Sequence, residues 1–154
     1  MPQQPLGTRI VPEMSEQYSQ TFRIEGSFHS NAGKASTEIK SILKQLGIQQ
    51  AVVRRAAIAA YEAEMNVFMY AQEATMTLEV SPENISLLVE DRGRGIPDIE
   101  LAMQEGYSTA TAEMRELGFG AGMGLPNIKK NADTFSIESK VGVGTTLKMT
   151  IAIT

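Results

Sequence analysis

A carboxylate and a carboxamide stand four residues apart in the most apolar stretch of the sequence. Glu62 and Asn66 lie within residues 50–72, a run of good helix formers that is apolar nearly all round. On a helix, that spacing puts both side chains on one face, one turn apart. Burial without partners is costly, so we expect them to line a cavity or meet a ligand. The alternative is that both sit at a helix edge with Glu62 in solvent; Glu64 points elsewhere, and we leave it at the helix edge.

A second candidate site follows an apolar run at residues 87–89, where the sequence DRGRG occupies positions 91–95. A carboxylate at the end of a strand, here Asp91, can accept a hydrogen bond from an exocyclic amine such as that of adenine. Gly93 and Gly95 would let the backbone approach a flat ring closely. Because Asp and Gly are also common turn residues, an ordinary turn explains this segment equally well when it is taken alone.

Four glycines at alternate positions form the third candidate, GFGAGMG at residues 118–124. They precede a predicted helix, and unshielded backbone amides at a positive helix end can hold phosphate oxygens. The segment matches neither the dinucleotide fingerprint nor a P-loop, and a flexible loop is the alternative. A shorter motif, GVGTT at residues 142–146, predicts a hairpin turn whose hydroxyl groups either reach a ligand or only cap the turn.

Hydrophobic periodicity predicts the elements that would position these motifs. The predicted strands cover residues 22–28, 75–80, 85–89, 134–139 and 146–154, and the predicted helices cover 35–46, 50–72, 97–106 and 124–133. This order, β-α-α-β-β-α-α-β-β, favours an α+β fold: a two-layer sandwich with a mainly antiparallel sheet. Residues 1–20, which contain three prolines, are predicted to be a flexible leader, and residues 21–154 the folded domain.

Composition narrows the classes of function. The 154 residues are 42% apolar and 21% charged, which indicates a single globular domain. The net charge of −4 disfavours nucleic acid and anionic membranes as partners, so a polyanion would need a local binding device such as the glycine-rich segment. The absence of cysteine excludes disulfides and thiolate metal sites. Neither a membrane-spanning run nor a secretory signal is apparent, and we expect a cytoplasmic protein.

The order of the four motifs resembles that of the GHKL ATPase superfamily. Glu-x-x-x-Asn on a helix, Asp-x-Gly-x-Gly after a strand, a glycine-rich lid and Gly-x-Gly-Thr-Thr before a final strand follow one another over residues 21–154. The length is similar to that of the bacterial anti-sigma-factor serine kinases of the RsbW, SpoIIAB and RsbT kinds. The stretches at residues 95–99, 106–109 and 118–122 look most like the RsbT kind.

This resemblance implies ATP and Mg²⁺ as cofactors, the histidine-kinase-like ATPase fold with helices on one face of the sheet, and a role for each matching residue. Glu62 would be the general base for a target serine, and Asn66 would ligate Mg²⁺. Asp91 would accept from the adenine amine, and Thr146 would support the base. The glycines of the adenine pocket would be Gly93 and Gly95, and those of the phosphate lid Gly120, Gly122 and Gly124. Two features depart from the family pattern: Tyr70 stands where some relatives carry histidine, and the polar lid region 107–117, with Arg115 as a candidate phosphate contact, is long.

Two hypotheses of function follow from the resemblance. In the first, the protein is an ATP-dependent serine kinase that phosphorylates a STAS-type antagonist protein in a partner-switching circuit. In the second, it is a nucleotide-gated binding module with little phosphoryl transfer. A sigma factor or a downstream phosphatase is a further candidate partner, and relatives often form homodimers. A sensor histidine kinase is disfavoured because His29 lacks a helical acceptor context, and a structural domain that binds no nucleotide is the remaining alternative.

Overall fold

The computed structural model describes residues 18–26, 31–104 and 124–153. Within these ranges the elements follow the predicted order. They are β1 (Tyr18–Glu25), α1 (Lys34–Gln45), α2 (Gln50–Tyr70), β2 (Ala71–Val80), β3 (Asn84–Gly93), α3 (Ile99–Ala102), α4 (Gly124–Asn131), β4 (Thr134–Lys140) and β5 (Gly144–Ala152).

The five strands form one antiparallel sheet in the order β1-β2-β3-β5-β4. Residues on each strand alternate between a buried and a more exposed face, as in β2, where Ala74, Met76 and Leu78 are buried and the residues between them are not. The sheet therefore has one face toward the core and one polar face. β3 lies at its centre, so the end of β3 is flanked on one side by β2 and on the other by β5.

Helix α2 is the core element of the helical layer. Its alanines Ala56, Ala59, Ala60 and Ala63 are fully buried, and small side chains let α1, α4 and the sheet approach the helix from several directions. Ile39 and Leu43 of α1 and Ile128 of α4 are also fully buried. The predicted α+β sandwich is confirmed, with helices packed against one face of an antiparallel sheet. Among the described residues, no helix is both long enough and apolar enough to span a membrane.

The limits of several elements differ from those predicted. Strand β1 begins at Tyr18, which pairs with Val80, so residues 18–20 belong to the sheet and not to the predicted leader. Helix α2 ends at Tyr70, and the chain enters β2 directly at Ala71. Helix α3 is a single turn that starts after Asp98, whose side chain accepts a hydrogen bond from the Leu101 N–H at 3.1 Å.

Candidate nucleotide-binding site

Helix α2 presents Glu62 and Asn66 on the same side, one turn apart, as their spacing predicts. Both are half-buried, in contrast to the fully buried Ala63 and Val67 beside them. The Glu62 carboxylate is held by a neutral donor from another helix, because the Asn127 side-chain amide of α4 donates to Oε2 at 2.8 Å. Glu62 therefore sits at the junction of α2 and α4 and not at an open helix edge.

Asn66 lies against the first residue of α4. A Cβ built on Gly124 would come within 3.0 Å of the Asn66 Oδ1 atom, so any side chain at position 124 would press on the carboxamide. The absence of a side chain there allows α4 to begin directly beside Asn66. The end of the glycine-rich segment thus meets the predicted metal ligand, whereas Gly120, Gly122, Arg115 and the rest of residues 105–123 lie outside the described residues, as does His29.

Asp91 lies near the end of β3, on the face of the sheet that looks toward the helices. Its Oδ1 atom accepts a hydrogen bond from the backbone N–H of Thr145 in the neighbouring β5, at 3.0 Å. Burial raises the pKa of Asp91 above its usual value, and the hydrogen bond from Thr145 opposes that rise. The result is a half-buried carboxylate fixed through one oxygen, which can accept a further hydrogen bond from a ligand amine.

The two glycines of the DRGRG segment are in contact with protein backbone. A Cβ on Gly93 would lie 2.5 Å from the Tyr70 carbonyl oxygen at the end of α2. Gly95 has a positive φ of 76°, and a Cβ on it would lie 2.5 Å from the Lys140 carbonyl oxygen of β4. Both glycines are therefore needed to bring the loop after β3 against α2 and against the β4–β5 turn.

The structure places Thr145 beside Asp91, and it places Thr146 on the opposite face of β5. Thr145 shares its face with the buried Leu147 and Met149, whereas Thr146 pairs laterally with the exposed Glu90 and Glu138. The period of two in the last strand, with apolar residues at 147, 149 and 151, already placed residue 145 on the core side. The family resemblance assigned the supporting role to Thr146, the neighbouring threonine, and that assignment does not take the alternation into account.

Ser139 joins the strand ends to the loop after β3. Its hydroxyl group lies 2.7 Å from the Thr145 hydroxyl oxygen and accepts a hydrogen bond from the Ile96 backbone N–H at 2.7 Å. Sequence analysis gave Ser139 no role, although the residue continues the partly buried face of Phe135 and Ile137 on β4. A hydroxyl residue that continues the alternation of Phe135 and Ile137 was the sequence feature that could have indicated this role.

Glu64 is not at the helix edge, where it was predicted. It is only 1% exposed, and its two carboxylate oxygens accept hydrogen bonds from the backbone N–H groups of Ala35 and Ser36 at 3.1 and 3.0 Å. These N–H groups lie in the first turn of helix α1. Gly33, which precedes the helix, has no side chain that could cap them. Glu64 thus acts as a helix cap supplied from a distant part of the chain, with the favourable charge for a helix N-terminus.

Tyr70, which stands where some relatives carry histidine, closes the far end of α2. The Arg94 guanidinium lies over its ring, 4.6 Å from the ring centre. This contact links α2 to the loop that carries Gly93 and Gly95. Asn66 and Tyr70, one turn apart on α2, therefore face two different parts of the predicted nucleotide site.

Comparisons with known proteins identify the family of this domain. The model of the histidine kinase-like ATPase domain family matches residues 29–151. The serine/threonine-protein kinase RsbT of Bacillus subtilis is 31% identical over 113 residues, which cover 71% of this chain and 79% of RsbT. The anti-sigma F factor of a Thermoanaerobacter species is 31% identical over 125 residues, which cover 78% of this chain and 84% of that protein.

A solved structure shows the same fold at lower sequence similarity. The mycobacterial sensor histidine kinase MprB superposes with a TM-score of 0.53 at 14% identity, over 88% of this chain and 97% of the MprB chain. At this level of identity, the likeness concerns the arrangement of strands and helices alone.

Proposed function

The chain belongs to the histidine kinase-like ATPase domain family, with serine-kinase and anti-sigma-factor relatives, and on this premise we propose that it is an ATP-dependent protein serine kinase. Its substrate would be a small STAS-type antagonist protein in a partner-switching circuit, and its place of action the cytoplasm. The observation that carries the proposal is the pair Glu62 and Asn66 on one side of α2, next to the start of α4.

The proposed reaction asks the protein mainly to position groups and to offset charge. The hydroxyl oxygen of the target serine attacks the γ-phosphorus of ATP, the bond from that phosphorus to the ADP oxygen breaks, and Glu62 takes the proton of the hydroxyl group. Asp91 accepts from the adenine amine. Thr145, through its N–H bond to Asp91, takes the supporting role that the resemblance assigned to Thr146. Gly120, Gly122 and Gly124 form the phosphate lid of this proposal.

The donor set fits Mg²⁺ held largely by phosphate oxygens and water. Among the described residues, no group of three acidic or histidine side chains could hold a metal ion alone. Asn66 offers one carboxamide oxygen beside the first residue of α4, and Mg²⁺ commonly keeps several waters and few protein ligands. When bound, Mg²⁺ would offset the charge of the phosphates; Asn66 would hold it on the α2 side.

A nucleotide-gated binding module is the second candidate, and the relatives named anti-sigma F factor favour it. In this case the same pocket would bind ATP or ADP, and the nucleotide would determine which partner is held. A sigma factor or a phosphatase is then a candidate partner, and a homodimer a candidate assembly. The two candidates differ in one step only: transfer of the γ-phosphoryl group.

Glu62→Gln separates the two candidates. The purified protein is incubated with labelled ATP, Mg²⁺ and the STAS-domain proteins of the same genome, and phosphoserine is measured on each. We expect the variant to lose transfer while its ATP affinity stays close to that of the wild type. Glu79→Gln, which makes the same chemical change on an exposed part of β2, is the matched control and should transfer normally. Unchanged transfer in Glu62→Gln would remove Glu62 from the reaction, and failure of the wild-type protein to bind ATP would refute both candidates.

A further inference from the structure

The side-chain amide of Asn127 donates a hydrogen bond to Oε2 of Glu62, the proposed base, at 2.8 Å. We infer that Asn127 is a positioning residue that fixes the Glu62 carboxylate for proton transfer and ties it to the helix that begins at the end of the glycine-rich segment. The inference rests on the proposed kinase function and deepens it, because it names a second residue on which the transfer step depends.

Asn127 can act as a fixed donor because α4 is fastened to α2 at a second point. The guanidinium of Arg55 on α2 donates from Nε to the carbonyl oxygen of Asn131 at 3.1 Å, at the last residue of α4. The side chain of Asn131 in turn donates to the carbonyl oxygen of Asn127 at 2.8 Å. In the middle of α4, Ile128 is fully buried against the core. The donor therefore projects from a helix whose position is determined at both ends.

The chemistry of the contact suits a general base. A glutamate side chain has three rotatable bonds, so a half-buried carboxylate without a partner would sample several positions. An amide donor restricts it without bringing a positive charge that would hold the carboxylate in an ion pair. Since Asn127 occupies Oε2, the serine proton is received on Oε1 while the serine oxygen bonds to the γ-phosphorus and the ADP oxygen leaves.

Substitution of Asn127 tests the inference in the full chain, with phosphoryl transfer to the STAS-domain substrate as the readout. Asn127→Ala removes the donor, and Asn127→Asp keeps the size while replacing the donor with an acceptor. We expect kcat to fall about 10- to 100-fold in both variants, with the ATP dissociation constant within about twofold of wild type. Asn127→Gln keeps the amide group and should recover part of the loss.

The control separates a role through Glu62 from a general effect on α4. Asn131→Ala removes a bond to the Asn127 backbone but leaves the Asn127 side-chain amide in place. It should therefore lower the melting temperature while costing less kcat than Asn127→Ala. A second test uses Glu62→Asp, which withdraws the carboxylate by one methylene. If Asn127 acts through Glu62, Asn127→Ala should cause no further loss of kcat in that background.

The outcomes are distinguishable from those of the proposed function. An active wild-type protein whose Asn127→Ala variant keeps its kcat refutes the role of Asn127 and leaves the kinase function intact. Equal losses in Asn127→Ala and Asn131→Ala, or additive losses with Glu62→Asp, assign the effect to helix stability and also refute it. A wild-type protein that binds ATP but transfers nothing refutes the kinase function and, with it, this inference.

Discussion

Gly144→Ala should be among the most damaging single-methyl changes in the described part of the chain. Gly144 has a φ of 153°, and a Cβ on it would overlap the Asp91 carbonyl oxygen, well inside the 3.0 Å limit that real Cβ contacts keep. Two backbone segments would have to separate where β5 begins next to β3. Because Asp91 accepts from Thr145, the next residue, any separation would also disturb the proposed adenine site.

The cost can be worked from these two contributions. Forcing a methyl group into a packed site costs about 1–3 kcal/mol. A non-glycine residue at a positive φ costs about 1–2 kcal/mol more. The sum, about 2–5 kcal/mol, corresponds to a decrease of roughly 4–20 °C in the melting temperature of a domain of this size. Gly142→Ala is the matched control, since Gly142 has a φ of 80° but, apart from its chain neighbours, no described residue has an atom within 4 Å of the position of its Cβ. It should lose only the conformational contribution, about 1–2 kcal/mol.

Thermal unfolding with and without ATP and Mg²⁺ provides the assay. Gly144→Ala should melt well below Gly142→Ala, and its stabilisation by nucleotide should be smaller because the position of Asp91 has changed. If the two variants lose the same stability, steric contact with Asp91 is not the reason for glycine at position 144. Backbone conformation alone would then account for glycine at both positions.

Two further predictions concern carboxylates. Glu64→Gln should lower the free energy of unfolding by about 2–4 kcal/mol in urea denaturation, because glutamine has one acceptor oxygen for the two buried N–H groups of Ala35 and Ser36. Glu38→Gln, on the exposed side of α1, is the control. Equal stability of the two variants would contradict the capping role. Asp91→Asn should weaken ATP binding, measured by calorimetry, yet raise the melting temperature at pH 7. Because the pKa of Asp91 is raised on folding, its ionised form opposes folding above that pKa, and the gain should vanish as the pH falls below the ordinary value of 3.8. A melting-temperature difference that grows on acidification would contradict this sign.

The parts of the fold that depend on local pattern were predictable from the sequence. The β2–β3 hairpin follows from an alternating segment and a more continuous apolar run on either side of residues 81–84, and the α2 helix follows from its run of helix formers. The start of β1 was missed because Ser19 and Gln20 are polar. Their backbone pairs with β2 from 50 or more residues away, and no local signal reports that pairing.

In the candidate site, too, the residues that belong to local motifs were predictable, and their distant contact partners were not. Glu62, Asn66 and Asp91 are recognisable because each occupies a motif with a chemical rationale. The structure places Glu62 and Asn66 beside α4, and Asp91 on the helix-facing side of the sheet. The partners that hold them are distant in the chain: Asn127 is 65 residues from Glu62, and Thr145 is 54 residues from Asp91. Glu64 was misplaced for the same reason, since the helix end that it caps lies 28 and 29 residues earlier. Such contacts are properties of the tertiary fold and not of any sequence window.

The bond between Thr145 and Asp91 also bears on how the protein folds. It joins the last strand to the centre of the sheet, and β5 pairs along almost its whole length with β3, more than 50 residues earlier. Contacts at that sequence separation require closure of a long loop, so the proposed adenine side of the site is complete only when the last strand has docked. The proposed site and the native sheet are therefore gained and lost together. A chain still emerging from the ribosome without residues 144–152 lacks part of the proposed nucleotide site.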